Sequence, residues 1–119
     1  MRVLALVSDL ATQSQLSGAA ARTGAELDLA DSAEALLAKL PQTKPRLVIL
    51  DLSHPGLDPS QLLPRLRTSL PSIKVTAFGP HVHRERLTAA REAGCDLVMS
   101  RGQFHAEIDT ILSGDSATR

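Results

Sequence analysis

The sequence predicts an α/β domain: a doubly wound, five-stranded parallel sheet with helices on both faces. Short apolar runs alternate five times with segments of helical periodicity, and strict strand–helix alternation of this kind favours a parallel sheet. The first and third runs are apolar at every position, which is typical of strands buried on both faces. With 119 residues the chain is long enough for one core, and no repeat or linker divides it.

The first half of the chain predicts strands over residues 3–7, 26–30 and 47–50, with helices over residues 10–22 and 33–40 between them. Gly24 is a favourable end for the first helix. Asp31 or Ser32 can cap the second helix, with Glu34 placed to return a capping-box contact. The prolines at positions 41 and 45 should then break the chain before the third, most hydrophobic strand.

The second half predicts strands over residues 73–78 and 96–100 and helices over residues 83–93 and 103–112. Asp58 and Pro59 form a good start for the helix between the third and fourth strands. Pro64 should kink or shorten that helix, because it removes an amide donor and crowds the preceding turn. We expect one domain over residues 1–113, followed by a flexible tail over residues 114–119.

Composition narrows the function classes. Lys and Arg together number 13, as do Asp and Glu, and a net charge of zero argues against a broad electrostatic grip on nucleic acid. The single cysteine, Cys95, cannot form an internal disulfide. The apolar run at the N-terminus is too short for a signal peptide or a membrane span. We therefore expect a cytoplasmic protein without a direct nucleic-acid or membrane partner.

The carboxyl ends of the strands are where a doubly wound sheet binds its ligands. Those ends carry a set of polar residues, namely Ser8 and Asp9, Asp51 and Ser53, and Ser100 and Arg101, with Gly79 after the fourth strand. Two neighbouring carboxylates repel each other and favour a cation such as Mg²⁺ between them. Asp9 precedes a helix, so an N-cap is its structural alternative.

At this point the sequence resembles the response-regulator receiver family, the CheY-like domains, over about residues 2–112. The segment from Asp51 to Pro59 (Asp-Leu-Ser-His-Pro-Gly-Leu-Asp-Pro) is similar to the family's Asp-Leu-x-Met-Pro-x-Met-Asp-Gly stretch, whose first Asp accepts a phosphoryl group. The resemblance makes Asp51 the phosphoacceptor candidate. It implies weak Mg²⁺ binding by Asp9, Asp51 and the backbone carbonyl of Ser53. Ser8 replaces the second residue of the family's acidic pair.

Other positions of the resemblance depart from the family's switch. Counting from the Ala-Gly signature that ends at Gly94, Gly79 falls where the family carries Thr or Ser, and Arg101 where it carries Lys. Val98 falls on the position of the gating aromatic residue. Without a hydroxyl at residue 79 or a ring at residue 98, the family's relay is missing. The resemblance therefore implies a degenerate receiver, or pseudo-receiver, in two-component signalling, which acts through protein–protein contact.

Three functions are compatible with the sequence. The first is a single-domain interaction module that contacts a sensor kinase, a phosphotransfer protein or an output protein, with a homodimer possible through helix 4, strand 5 and helix 5. The second is a working receiver that takes a phosphoryl group on Asp51 with Mg²⁺. The third is a small metal- or ligand-binding protein, for which the histidines are candidate ligands: His54, His81, His83 and His105. No phosphate loop and no nucleophile elbow occurs, so we expect no enzyme beyond self-phosphorylation.

Overall fold

A computed structural model describes residues 1–114, which form an all-parallel sheet with strand order β2-β1-β3-β4-β5. The predicted fold class and strand order are confirmed. The elements in chain order are β1 (Arg2–Leu6), α1 (Leu10–Thr23), β2 (Glu26–Ala30), α2 (Ala33–Thr43), β3 (Leu47–Asp51), α3 (Pro59–Ser69), β4 (Lys74–Gly79), α4 (Arg84–Ala93), β5 (Leu97–Ser100) and α5 (Arg101–Ser113).

Two apolar cores cover the two faces of the sheet. Alternate residues of a strand point to opposite faces, so Leu4 and Leu6 of β1 pack with α2, α3 and α4, whereas Val3 and Ala5 pack with α1 and α5. β3 is buried at all five positions, as its apolar run predicted. The core against α2, α3 and α4 is the larger one, and the core against α1 and α5 is the smaller one. The smaller core holds both phenylalanines of the chain.

The prediction that Pro41 ends α2 is wrong, because the helix runs through it to Thr43. Pro41 is exposed, and a hydrogen bond from the Thr43 hydroxyl to the Lys39 carbonyl (2.8 Å) supports the last turn. The predicted capping box is also wrong. The Ser32 hydroxyl accepts a hydrogen bond from the amide of Ala35 and caps the helix, while Glu34 pairs with Arg65 on α3.

Two further differences concern α3 and α5. Pro64 does not shorten α3, which runs through it to Ser69 and keeps three leucines buried in the larger core: Leu62, Leu63 and Leu66. Helix α5 begins two residues earlier than predicted, at Arg101, because Ser100 and Gln103 form a capping box. Gly114 ends α5 in the left-handed conformation, and the rest of the predicted tail, residues 115–119, lies outside the described residues.

Candidate functional site

Asp51 is the buried centre of the site. It is the last residue of β3, lies opposite Phe78 of β4 and has no exposed surface. Its Oδ2 accepts hydrogen bonds from the hydroxyl (2.9 Å) and amide (3.3 Å) of Ser8, and its Oδ1 accepts one from the amide of Ser53 (2.9 Å). A buried carboxylate is tolerated only when both of its oxygens are satisfied in this way.

Asp9 caps α1 and also faces the site. Its Oδ2 accepts a hydrogen bond from the Thr12 amide (2.9 Å), so the N-cap that the sequence offered as an alternative is present. Its Oδ1 lies 3.4 Å from Nη1 of Arg101. Burial raises the pKa of Asp9, but hydrogen bonds from Thr12 and the charge of Arg101 outweigh burial and hold the pKa below its ordinary value. The cap and the site contact therefore coexist in one residue.

Arg101 joins the two carboxylates. From the first turn of α5, its Nη2 lies 3.6 Å from Asp51 Oδ1, and its Nη1 lies 3.4 Å from Asp9 Oδ1. The guanidinium also donates to the hydroxyls of Thr12 (3.1 Å) and Ser53 (3.4 Å). Its planar fork fits this bridging arrangement, because its separate N–H groups point to different acceptors.

Two residues that the sequence prediction missed help to hold Arg101. Thr12 is fully buried, and its side chain accepts from the guanidinium. Phe78 lies beneath Arg101, with the guanidinium carbon 5.4 Å from the ring centroid, and stacks on Phe104 with the centroids 4.1 Å apart. Thr12 could have been found as the residue three positions after a helix cap. The ring contact leaves no signal in sequence spacing.

Gly79 and Val98 occupy their predicted places at the end of β4 and within β5 but make no polar contribution to the site. A Cβ atom at Gly79 would lie 3.2 Å from Leu52 Cβ, which is tighter than an ordinary contact, so a larger residue would require the leucine to shift. Val98 is partly buried and packs against the larger core beside Ala77.

The histidines do not gather around Asp51. The ring nitrogens of His54 lie 2.7 Å from the carbonyl oxygen of Asp31 and 2.8 Å from that of Pro55, so this side chain ties two loops together. His105, on α5, contacts Gln15 on α1. Within residues 1–114, no group of three or more His, Cys, Asp or Glu side chains is placed to hold a metal ion.

The candidate Mg²⁺ ligands are Asp9, Asp51 and the backbone carbonyl of Ser53. Three of the four carboxylate oxygens of Asp9 and Asp51 already accept hydrogen bonds from amide or hydroxyl groups of the protein. The Oδ1 atom of each carboxylate also contacts Arg101. Mg²⁺ requires near-octahedral oxygen coordination, and this arrangement, with a guanidinium between the carboxylates, does not provide it.

Comparison with known proteins finds similarity to a response regulator. No protein-family model matches the chain. The chain is 34% identical over 113 residues to the response regulator protein FleR of Pseudomonas aeruginosa, a match that covers 92% of this chain and 24% of that protein. The chain therefore spans about a quarter of the length of this curated relative. No helix within residues 1–114 is long and apolar enough to cross a membrane.

Solved structures show the same fold. The CheY-like response regulator receiver domain protein of Methanospirillum hungatei superposes with a TM-score of 0.76 at 20% identity, over 99% of this chain and 98% of that one. NtrX of Brucella abortus gives a TM-score of 0.79 at 21% identity, over 98% of this chain but 27% of that one. A response regulator of Thermotoga maritima gives 0.75 at 19% identity, over 94% and 97% of the two chains.

Proposed function

Because the chain belongs to the response-regulator receiver family, we propose that it is a degenerate receiver domain in two-component signalling that acts by contact with a protein partner. In this proposal the fold presents a partner surface, and phosphorylation of Asp51 is not needed to form that surface. The classes of partner are a sensor kinase, a phosphotransfer protein and an output protein, or a second copy through α4, β5 and α5.

The packing around Gly79 is the observation that supports this proposal most strongly. A receiver switch of the usual type needs a hydroxyl at the end of β4 that turns toward the phosphoryl group. Gly79 has no side chain, it is buried, and Leu52 lies 3.2 Å from where its Cβ would be. Residue 79 therefore offers no hydroxyl group, and a side chain there would require buried Leu52 to shift by a few tenths of an ångström.

The second half of the relay lacks a moving part as well. Val98 has no ring that could rotate, and its partly buried side chain is packed against the larger core. The adjoining α4 surface is rich in exposed side chains, including Arg84 and Glu85, and Val82 before the helix is 69% exposed. These side chains are accessible without any change at Asp51, as the proposal requires.

A working phosphoacceptor is the second candidate, and Arg101 favours it. A guanidinium 3.6 Å from Asp51 Oδ1 could also neutralise a phosphoryl group on that carboxylate. With acetyl phosphate as donor, an Asp51 oxygen would bond to phosphorus while the bond from phosphorus to the acetate oxygen breaks, and acetate would leave. Against this candidate, Asp51 has no exposed surface, and Ser8 holds its second oxygen.

Two measurements on wild type and Asp51→Asn test the proposal together. Intact mass after incubation with acetyl phosphate and Mg²⁺ reports whether Asp51 takes a phosphoryl group. Tagged chains are then used to recover bound proteins from the source organism's cells, and the recovered amounts report contact with protein partners. We expect both chains to recover the same partners in equal amounts. A partner that binds only the chain able to carry the phosphoryl group would contradict the proposal and identify a working receiver.

A further inference from the structure

The positive charge that contacts both Asp9 and Asp51 comes from a side chain of the protein, Arg101. Nη1 and Nη2 of Arg101 lie 3.4 Å and 3.6 Å from one oxygen of each carboxylate. A metal ion held by both carboxylates would therefore have to share them with this guanidinium. A guanidinium and a divalent cation cannot both occupy the space between them, because their positive charges repel and their volumes overlap.

The guanidinium is held in this position by more than the two acids. Phe78 supports it from below, with 5.4 Å from the guanidinium carbon to the ring centroid, and Phe104 supports that ring in turn. The Thr12 hydroxyl accepts a hydrogen bond from Nη1 at 3.1 Å. Because α5 begins at Arg101 with a capping box, the backbone that carries the side chain is also fixed.

The remaining charge near the site does not favour replacement of Arg101 by a metal ion. Two carboxylates and one guanidinium leave a single net negative charge, and Ser8 contributes a hydroxyl and an amide that already bind Asp51 Oδ2. A divalent cation would have to expel Arg101 from its aromatic support and gain only two carboxylates as charged ligands. Hard cations depend on the charge and number of their oxygen ligands.

We infer that Arg101 is the resident cation of this site and competes directly with divalent metal ions for Asp9 and Asp51. In wild type the guanidinium occupies the metal's place, and Mg²⁺ reaches the carboxylates only when Arg101 swings out. The competition concerns the cation alone and holds whether or not Asp51 takes a phosphoryl group. This inference and the proposed function can therefore fail separately.

Metal affinity of purified variants tests the inference without any activity assay. Mg²⁺ is titrated by calorimetry, and Mn²⁺ by its broadening of backbone amide signals near Asp51, into wild type, Arg101→Ala and Arg101→Lys. The matched control is Arg91→Ala, which removes the same charge from an exposed position in the last turn of α4, on the face of the sheet opposite α5. Circular dichroism shows that each variant is folded.

We expect Arg101→Ala to bind Mg²⁺ at least about tenfold more tightly than wild type. The reason is that the guanidinium repels a divalent cation at the two carboxylates, and removal of this repulsion changes the affinity by about that factor even when water screens the charges. Arg101→Lys should fall between the two, because a single ammonium cannot reach both carboxylates in the same way. Arg91→Ala should match wild type. Equal affinity in wild type and Arg101→Ala, or no binding by either, would overturn the inference.

Discussion

Replacing Arg101 by Ala should destabilise the fold chiefly through Asp51. The Arg101–Asp51 pair has one fully buried partner and a guanidinium side chain that is 33% exposed, so it lies between a surface pair and a buried one. The Arg101–Asp9 pair is partly exposed on both sides, so water screens it, and it contributes about 0.5 kcal/mol. The contact with Phe78 contributes a similar amount, about 0.5–1 kcal/mol.

Loss of the Arg101–Asp51 pair lowers the free energy of unfolding more than loss of the other two contacts, because the charge of Asp51 stays buried when the guanidinium is removed. Complete loss of a partner from a buried pair costs roughly 3–5 kcal/mol. Three hydrogen bonds from Ser8 and Ser53 continue to stabilise the Asp51 carboxylate, and water can enter the space that Arg101 leaves. We therefore expect Arg101→Ala to lower the free energy of unfolding by about 2–3 kcal/mol in total, of which about 1.5 kcal/mol depends on the Asp51 charge.

A double-mutant cycle with Asp51→Asn measures that dependence. Unfolding in urea is followed by far-ultraviolet circular dichroism, because the chain has no Trp or Tyr for fluorescence. Arg101→Ala should cost only about 1 kcal/mol in the Asp51→Asn background, where the buried charge is gone. The control Arg65→Ala removes an exposed pair with Glu34 and should cost at most about 1 kcal/mol. An equal cost of Arg101→Ala in both backgrounds would refute the reasoning.

Three further outcomes are expected. Gly79→Ala should destabilise the protein by about 1 kcal/mol in urea unfolding, because its Cβ would lie 3.2 Å from that of buried Leu52, whereas Gly102→Ala, in an open part of α5, should be neutral or stabilising. Equal effects of the two changes would contradict the packing explanation. Burial raises the pKa of Cys95 to about 11, so iodoacetamide should alkylate the folded protein at about pH 8 roughly a hundredfold more slowly than the urea-unfolded chain; equal rates would show an open thiol. Since the pKa of Asp9 is lowered from 3.8 on folding, the stability that its carboxylate contributes is present above that value and is lost as the pH falls below it. Asp9→Asn should therefore lose less stability than wild type between about pH 5 and pH 2 in urea titrations, and parallel losses would contradict the link between Asp9 and its donors.

The fold could be predicted from the sequence because short apolar runs alternate five times with segments of helical periodicity. The strand order followed from the resemblance to receivers. The errors lie where side chains override local rules. Pro41 should end a helix on backbone grounds, yet α2 continues for two residues beyond it, to Thr43, whose hydroxyl donates to the Lys39 carbonyl. Helix α5 starts early because Ser100 and Gln103 cap each other, which a pattern of apolar residues does not reveal.

The site could be predicted only in part, for a physical reason. Asp9, Asp51 and Arg101 were found because the ends of parallel strands meet at one edge of a sheet, and the structure brings all three together. That Arg101 bridges both acids depends on contacts between elements far apart in sequence, above all the support from Phe78. His54 was a metal candidate, but the path of its loop directs its ring to backbone carbonyls instead.

The most direct test of the central claim is the backbone amide spectrum of the isotope-labelled protein, with and without saturating acetyl phosphate and Mg²⁺, beside Asp51→Asn. The proposed degenerate receiver, with no hydroxyl at Gly79 and no ring at Val98, should pass no change to the proposed partner surface. We expect any chemical-shift changes to stay within the loops around Asp51, with α4, β5 and α5 unaltered. Shifts throughout α4, β5 and α5 in wild type, absent from Asp51→Asn, would contradict the claim and show a working phosphorylation switch.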